Sequence, residues 1–153
     1  MEPLDFPREN CAVGAAVGYL GDRWTMLVLR EAFFGVRRFE DFRRGTGAAK
    51  NILADRLAKL VEHGLLERRQ YSERPPRDEY RLTEKGLDFY PVLISLAQWG
   101  ERWGGLGSRT AIALEHKGCG QIVQPELTCP ECGEPVHARD MRAHLRSRLH
   151  ERV

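Results

Sequence analysis

The strongest hydrophobic pattern of the chain lies between residues 49 and 63. Its apolar side chains recur at the i, i+4, i+7 and i+8 positions, as Leu53, Leu57, Leu60 and Val61. This spacing lines one face of an α-helix with apolar groups, and polar residues occupy the opposite face. A shorter helical pattern over residues 39–44 precedes it across the turn Gly45-Thr46-Gly47. Two helices joined by a glycine-containing turn predict a helix-turn-helix.

A β-hairpin is predicted directly after the second of these helices. Gly64 is a typical residue at a helix C-terminus, and strand-like runs follow over residues 65–71 and 79–82. Pro75 and Pro76 lie between the runs, where a proline cannot continue a hydrogen-bonded ladder. The predicted fold is therefore mainly α with a small β-hairpin wing, an α+β winged helix-turn-helix.

Three further helices are predicted around this segment, over residues 11–20, 23–34 and 84–103. The first is expected to bury Val13, Ala16, Val17 and Leu20. The last has apolar residues on more than one face, namely Leu87, Phe89, Tyr90, Leu93, Leu96, Ala97 and Trp99. Because a domain this small has little to cover a second apolar face, we expect that face to pack against a partner subunit. The first helix could join the same contact.

Positive charge is concentrated in the predicted winged helix. Residues 37–77 contain 11 Lys/Arg and 6 Asp/Glu, a net charge of +5, whereas the whole chain carries only +2. A local excess of this kind favours contact with a nucleic-acid duplex over general binding of polyanions. The candidate phosphate ligands flank the second helix, and they are Arg37, Arg38, Arg74 and Arg77. The alternative is that they are solvated surface charges.

The N-terminal part of the second helix is the segment that reaches base edges in helix-turn-helix proteins. The residues at that position are Lys50, Asn51 and Ala54. Lys donates to guanine, Asn bonds adenine in two places, and Ala leaves room for a thymine methyl group. Asp55 either accepts from cytosine or pairs with Lys59 at i+4. Arg56 either binds phosphate or forms an internal salt bridge.

Four separated sequence blocks between Cys11 and Trp103 carry a family resemblance. They are CAVGAAVGYLGDRWTMLVLREAFFGVRRFEDF, NILADRLAKLVEHGLLERR, PPRDEYRLTEKG and the closing WGERW. In order and spacing they resemble the HxlR-type bacterial winged-helix regulators. The resemblance implies a homodimeric, DNA-binding transcription regulator over residues 9–103, usually a repressor. Two-fold symmetry would place the two recognition helices one DNA turn, ~34 Å, apart, which predicts a palindromic operator.

Cys11 is predicted to lie in the first turn of the first helix, where the helix N-terminus favours a thiolate. It also aligns with an N-terminal cysteine that some members of the resembling family use as a redox or electrophile sensor. The alternative is a small buried residue, the common state of a free cysteine. Residues 9–103 contain no other cysteine. A switch would therefore need an intersubunit disulfide or a small-molecule adduct.

A metal-binding pattern follows the glycine-rich linker at residues 104–107. A pair of candidate ligands, three residues apart and followed by glycine, occurs twice, as His116-Cys119-Gly120 and Cys129-Cys132-Gly133. Three thiolates and one imidazole suit a tetrahedral structural Zn²⁺ site. Residues 104–153 are therefore predicted to be a linker, a zinc-ribbon-like segment and a basic C-terminal tail.

Other interpretations of this pattern stay open. Cys129 and Cys132 could instead form a redox pair or a disulfide, or bind nothing. His137 is a rival for the fourth metal ligand.

Composition narrows the class of protein. A chain of 153 residues with 42% hydrophobic residues is expected to form one domain with a small appendage. It shows no N-terminal signal pattern and no apolar run near the ~18 residues of a membrane span, so a soluble cytoplasmic protein is expected. Four cysteines in that compartment favour metal or thiol chemistry over structural disulfides.

A regulator is favoured over two other functions. A thiol oxidoreductase or metalloenzyme is disfavoured because the Cys-x2-Cys pair lacks a βαβ context and the four presumed metal ligands leave no open position for substrate. A winged helix used only for protein contacts is disfavoured by the excess of arginine. We therefore expect a non-enzymatic DNA-binding regulator. Its dimer core could enclose a small-molecule effector, which the sequence does not name.

Overall fold

The computed structural model describes residues 11–109 and 112–145. Residues 9 and 10 of the predicted domain and the end of the predicted basic tail, residues 146–153, lie outside the described part of the chain. The described residues form two compact units. One spans Ala12–Trp99, and the other contains Cys11 with residues 100–109 and 112–145. No helix in the described ranges is both long and apolar enough to span a bilayer.

The larger unit has the predicted order of helices and strands. Helices α1 to α4 are Ala12–Leu20, Arg23–Phe33, Phe39–Thr46 and Lys50–Glu62. Strands β1 (Leu66–Glu73) and β2 (Pro76–Leu82) form an antiparallel hairpin, and helices α5 (Glu84–Leu87) and α6 (Tyr90–Trp103) follow. The helix-turn-helix of α3 and α4 and the hairpin wing agree with the sequence prediction.

The core of this unit lies between α2, α3, α4 and the base of the hairpin. Its fully buried side chains are Val28, Leu29, Phe42, Leu53, Leu57, Leu60 and Leu66. The apolar face predicted for the second helix of the motif is confirmed, since α4 buries Leu53, Leu57 and Leu60 while Val61 is half-buried. Burial of this face holds α4 against the body and leaves its opposite face in solvent.

Local sequence sets the start of α2 and the end of α3. Asp22 adopts an extended backbone at the N-cap of α2, and its carboxylate accepts hydrogen bonds from the backbone N–H groups of Trp24 and Thr25, both at 3.0 Å. Gly47, with φ of 69°, ends α3 in the left-handed conformation that glycine adopts at little cost. Its N–H donates to the carbonyl of Arg43 at 2.9 Å. The chain therefore turns sharply into α4.

Three expectations about the larger unit were wrong. In α1 only Leu20 is buried, and Val13 and Val17 are 72% and 58% exposed, because α1 lies at the edge of the core. The single helix predicted over residues 84–103 is two helices, since the chain leaves the first helix at Asp88 and Phe89. The strands are also longer than predicted, reaching Glu73 and starting at Pro76.

The smaller unit is built on two short antiparallel hairpins. Strands β3 (Leu114–His116) and β4 (Gln121–Val123) form the first hairpin. The second pairs Thr128 with Pro135, and hydrogen bonds join Cys129 N to Glu134 O and Val136 N to Leu127 O, both at 2.8 Å. None of the residues described between 112 and 145 is buried.

Candidate nucleic-acid interface

The N-terminal turn of α4 presents the predicted base-reading residues to solvent. Lys50, Asn51 and Ala54 are all exposed. Ala49 occupies the N-cap position, and no side chain caps the helix there. This end of the helix therefore offers backbone N–H groups and an amide and an ammonium side chain to an approaching polar ligand.

Hydrogen bonds fix the turn between α3 and α4. The Thr46 hydroxyl donates to the carbonyl of Phe42 at 2.7 Å and accepts from the N–H of Ala48 at 3.2 Å. The Arg30 guanidinium, which is paired with the buried Glu31, donates to the carbonyl of Gly45 at 3.0 Å. A Cβ atom on Gly45 would lie 2.3 Å from the Glu31 carboxylate. Close packing of α2 on the turn thus sets the direction in which α4 starts.

Arg56 is engaged inside the unit. Its Nε lies 3.1 Å from the Asp22 carboxylate and a second guanidinium nitrogen lies 3.2 Å from that of Asp55. The Nε contact is ionic rather than a hydrogen bond, since Nε is buried without a hydrogen-bond partner. Of the two roles predicted for Arg56, the structure shows the internal salt bridge, which ties α4 to the N-cap of α2.

Asp55 forms the i+4 pair that was one of its two predicted roles. Its carboxylate lies 3.1 Å from Lys59 Nζ, one helical turn further along, and also pairs with Arg56. A contact from Asp55 to cytosine stays a prediction.

The fold lowers the pKa of the Asp22 carboxylate. Partial burial acts to raise its pKa, but hydrogen bonds from the side chain and backbone of Thr25, the charge of Arg56 and the Trp24 N–H together lower it below the usual value. A carboxylate held ionised at this position serves both as the cap of α2 and as the partner of Arg56.

The wing carries arginines in two states. Near its base Arg68 is paired with Asp78, and Arg69 is paired with Glu67. Arg74 lies in the turn and Arg77 follows it, and both are exposed without a described partner. The tip of the hairpin therefore carries unneutralised positive charge.

Arg37 and Arg38 lie beside the wing. The Arg37 carbonyl accepts from the N–H of Tyr80 at 2.8 Å, and Arg38 forms an antiparallel bridge with Glu79. The Arg38 guanidinium sits over the ring of Tyr71, 4.9 Å from its centroid. This short extension of the hairpin fixes the backbone of both arginines while their side chains stay exposed.

The cations of the larger unit fall into two classes. Throughout residues 12–99, eleven Lys/Arg side chains contact a carboxylate, a carbonyl or an aromatic ring. The side chains without such a partner in this fully described range are Arg37, Lys50, Arg74 and Arg77. All four are among the residues that the sequence predicted to contact DNA.

The smaller unit forms both predicted ligand pairs. His116 Nδ1 lies 3.3 Å from Cys119 Sγ at the tip of the first hairpin. Cys129 and Cys132 lie at the tip of the second, where the N–H groups of Cys132 and Glu131 and then the Cys132 thiol bond to Cys129 and lower its pKa. No three His, Cys, Asp or Glu side chains of the described ranges are grouped closely enough to hold one metal ion. The structure therefore forms two pairs and does not join them.

The remaining cysteine, Cys11, is half-buried immediately before α1. Its sensing role stays a prediction.

Sequence reasoning missed the residues that position this surface. Asp22, Glu31 and Tyr71 act through contacts with Arg56, Arg30 and Arg38. Only the N-cap pattern at Asp22 had a local signal. Glu31 is next to Arg30 in the chain, but the contact of Arg30 with the Gly45 carbonyl and that of Arg38 with Tyr71 form only on folding.

Comparisons with known proteins agree with this geometry. Residues 19–107 match the model of the HxlR-like helix-turn-helix family. An uncharacterized HTH-type transcriptional regulator of Mycobacterium tuberculosis is 45% identical over 133 residues, which cover 87% of this chain and 84% of the relative. The crystal structure of PA1607, a proposed transcription factor, is 37% identical with a TM-score of 0.78, and the match covers 90% of this chain and 96% of that one.

A redox regulator is also similar. HypR in its reduced form is 27% identical with a TM-score of 0.59, and the match covers 65% of this chain and all of HypR. The mycobacterial match, in contrast, is too long to fit within residues 1–109, so it includes part of the smaller unit. Taken with the winged helix-turn-helix and its matched residues, these findings show that the chain belongs to the HxlR-like helix-turn-helix family of transcriptional regulators.

Proposed function

We propose that this protein is a sequence-specific transcriptional repressor that binds a palindromic operator as a homodimer. Lys50, Asn51 and Ala54 read base edges in the major groove. Arg37, Arg38, Arg74 and Arg77 hold the phosphate backbone on either side. Of the two roles predicted for Arg56, we favour the positioning of α4, because its guanidinium already contacts Asp22 and Asp55.

The observation that carries this proposal is the distribution of unpaired charge. Eleven cations of the larger unit are already paired or stacked. The other four lie at the start of α4, in the wing or, for Arg37, beside the wing. An unpaired arginine gains most from a phosphate, since it gives up only solvent and counterions to bind it.

The homodimer is supported by a second, apolar surface. On α6 the side chains at i, i+4, i+7 and i+11 share one face, and all are exposed, at 54%, 45%, 64% and 69% for Val92, Leu96, Trp99 and Trp103. Ile94, on the opposite face, is buried. Val13 and Val17 add an exposed pair, one turn apart, on α1. A second copy of the chain is the partner that a two-fold operator requires.

The DNA-binding proposal is tested with a duplex selected from a randomised library and titrated with salt. Arg77→Ala should reduce the slope of log K against log salt by about 2 for the dimer, one phosphate contact per protomer. Arg68→Ala is the matched control, because Arg68 is also an arginine of the wing but is already paired with Asp78. It should leave the slope unchanged. Equal slopes for the wild type and Arg77→Ala would refute the phosphate assignment.

Base reading is tested separately from affinity. The double variant Lys50→Ala/Asn51→Ala should lose about 1–3 kcal/mol of discrimination per base contact while keeping non-specific, salt-sensitive binding. Selection of the same site by the variant and the wild type would contradict the assignment. Repression is measured with a reporter gene placed downstream of the selected site. The protein should lower expression of the reporter, and a rise in expression would show activation instead.

The dimer is tested by sedimentation. Leu96→Glu/Trp99→Glu places charges in the exposed stripe of α6 and should give a monomer that still unfolds cooperatively. The matched control Glu101→Gln lies on the same helix outside the stripe and should leave the dimer intact. A monomeric wild type at micromolar concentration would rule out the interface.

A further inference from the structure

The two hairpins of the smaller unit have turns of the same conformation. In the first hairpin the Gly120 N–H donates to the carbonyl of His116 at 2.8 Å. In the second the Gly133 N–H donates to the carbonyl of Cys129, also at 2.8 Å. Gly120 and Gly133 have nearly equal positive φ values of 69° and 75°. Each turn therefore places a ligand side chain at its first residue, another three residues later, and a left-handed glycine after that.

In the first turn the two ligand atoms are spaced as they would be around one ion. Tetrahedral zinc with Zn–S of about 2.3 Å and Zn–N of about 2.0–2.1 Å requires an S···N separation of about 3.5 Å. The observed distance between Cys119 Sγ and His116 Nδ1 is 3.3 Å. A Cβ atom on Gly118 would lie 3.0 Å from the His116 ring. The absence of a side chain at residue 118 thus leaves room for the imidazole beside the thiol.

The second turn points backbone N–H groups at a thiol. The amides of Glu131 and Cys132 both bond to Cys129. This turn therefore brings the side chains of Cys129 and Cys132 together, as the first turn does for His116 and Cys119.

The described residues 112–145 of the smaller unit form no apolar core of their own. No residue in its described range 112–145 is buried, and the core of the chain contains none of its side chains. Isolated hairpins of this length are at best marginally stable in water. The crystal structure of PA1607, which is 37% identical, matches 90% of this chain, so the structural match includes part of this unit although the unit has no apolar core. A segment that folds without a core needs another crosslink.

We propose that the two turns close on one structural Zn²⁺, held by His116, Cys119, Cys129 and Cys132. Each hairpin supplies half of a tetrahedral site, and the ion joins the two ligand pairs that the structure shows separately. Three thiolates give a soft, closed set that prefers Zn²⁺ over hard cations such as Mg²⁺ or Ca²⁺. With all four positions filled by protein, the ion stabilises the unit and has no open position for catalysis.

The geometry assigns the fourth ligand to His116 rather than His137. His116 stands at the ligand position of a glycine-terminated turn, with its ring beside Cys119. His137 follows the second hairpin, and its carbonyl accepts from the N–H of Asp140 at 3.0 Å in a separate turn. Removing the His116 imidazole should therefore weaken metal binding, whereas removing that of His137 should not.

The metal content of the full-length protein is the first test. The chain is purified in a reductant that does not bind metal, reconstituted with Zn²⁺, passed through a desalting column and assayed by elemental analysis. About one Zn²⁺ per chain is expected. Cys119→Ser and Cys132→Ser should each lose the Zn²⁺, because each removes one of the four ligands, the first from one hairpin and the second from the other. The control Cys11→Ser should keep it.

Substitution with Co²⁺ reports the ligands directly. The wild type should give the visible absorption of tetrahedral Co²⁺ with thiolate charge-transfer bands. His116→Cys should keep stoichiometric binding with a changed spectrum. His116→Ala should bind more weakly by more than the roughly 10–100-fold that loss of an outer-shell partner causes.

Several outcomes would overturn the proposal. Reduced wild-type protein with no Zn²⁺ after reconstitution excludes the site. Unchanged binding in Cys119→Ser excludes a site shared by the two hairpins, and a loss in His137→Ala with none in His116→Ala reassigns the fourth ligand. The helical circular dichroism of each variant shows that the larger unit stays folded, so that loss of metal cannot be confused with general unfolding.

Discussion

The two units of this chain reach an ordered state by different means. Residues 12–99 surround a core in which Phe42, Leu53 and Leu57 are completely buried. Residues 112–145 bury no side chain and instead repeat a glycine-terminated ligand turn. The first unit is stabilised by apolar burial, which leaves its charged surface free for a partner. The second unit places its histidine and cysteine side chains at its turns, where a bound metal ion could supply the folding free energy that a core would otherwise provide.

Chelation should produce the largest difference between the units. Structural zinc contributes about 10–16 kcal/mol in zinc-finger peptides at neutral pH, so its removal should unfold the smaller unit. In a proton–nitrogen correlation spectrum, the amide signals of residues 112–145 should collapse toward random-coil positions after a strong chelator is added. Signals of residues 12–99 should stay. Collapse of both sets together would show that the units do not fold independently.

A core substitution should have the opposite selectivity. Phe42→Ala removes a fully buried ring that also contacts Tyr80, with ring centroids 6.3 Å apart. It should lower the free energy of unfolding by about 3–5 kcal/mol in urea titrations. Phe34→Ala is the matched control, since Phe34 is 52% exposed, and should change stability by less than about 0.5 kcal/mol. Similar losses in both variants would mean that the core is misassigned.

Removing the cap of α2 should have an intermediate effect. Asp22→Ala deletes two backbone hydrogen bonds and the ion pair with Arg56. A loss of about 0.5–2 kcal/mol in the free energy of unfolding is expected, together with weaker operator binding because α4 loses a tether. The exposed Asp88 caps nothing through its side chain, so Asp88→Ala should be close to neutral.

The Asp22 contribution should also depend on pH. Because folding lowers the pKa of Asp22 below its ordinary value of 3.8, its stabilisation is fully present above that value. It is lost as pH falls through the lowered pKa of the folded state. The stability difference between wild type and Asp22→Asn should therefore be constant near neutral pH and shrink in strong acid. A difference that grew on acidification would contradict the lowered pKa.

The smallest effect is expected for a surface ion pair of the wing. Arg68 pairs with Asp78, but the Arg68 side chain is 60% exposed. Exposed pairs contribute about 0–1 kcal/mol, so Arg68→Ala should barely change the thermal midpoint. High salt should narrow the difference further. A large loss would show that the hairpin depends on this pair rather than on its packing against α3 and α4.

Local patterns in the chain predicted the helix-turn-helix, the wing and the buried face of α4 well. The leucine spacing of α4 and the turn at Gly47 depend on neighbours within a few residues, and the structure agrees at each. Burial of α1 and the continuity of the last helix were predicted wrongly. Apolar periodicity shows which residues share a face but not what covers that face, so it could not show that Val13 and Val17 are exposed in this chain.

By itself the sequence determined the helix periods, the repeated ligand spacing and the local excess of positive charge, because each is a property of residues close together in the chain. Only the tertiary structure decided which charges are used internally. Arg56 meets Asp22, Arg30 meets the Gly45 carbonyl and Arg68 meets Asp78 through folding. Electrostatic pairing depends on distance in space, so four cations are left unpaired only once the fold has matched the others.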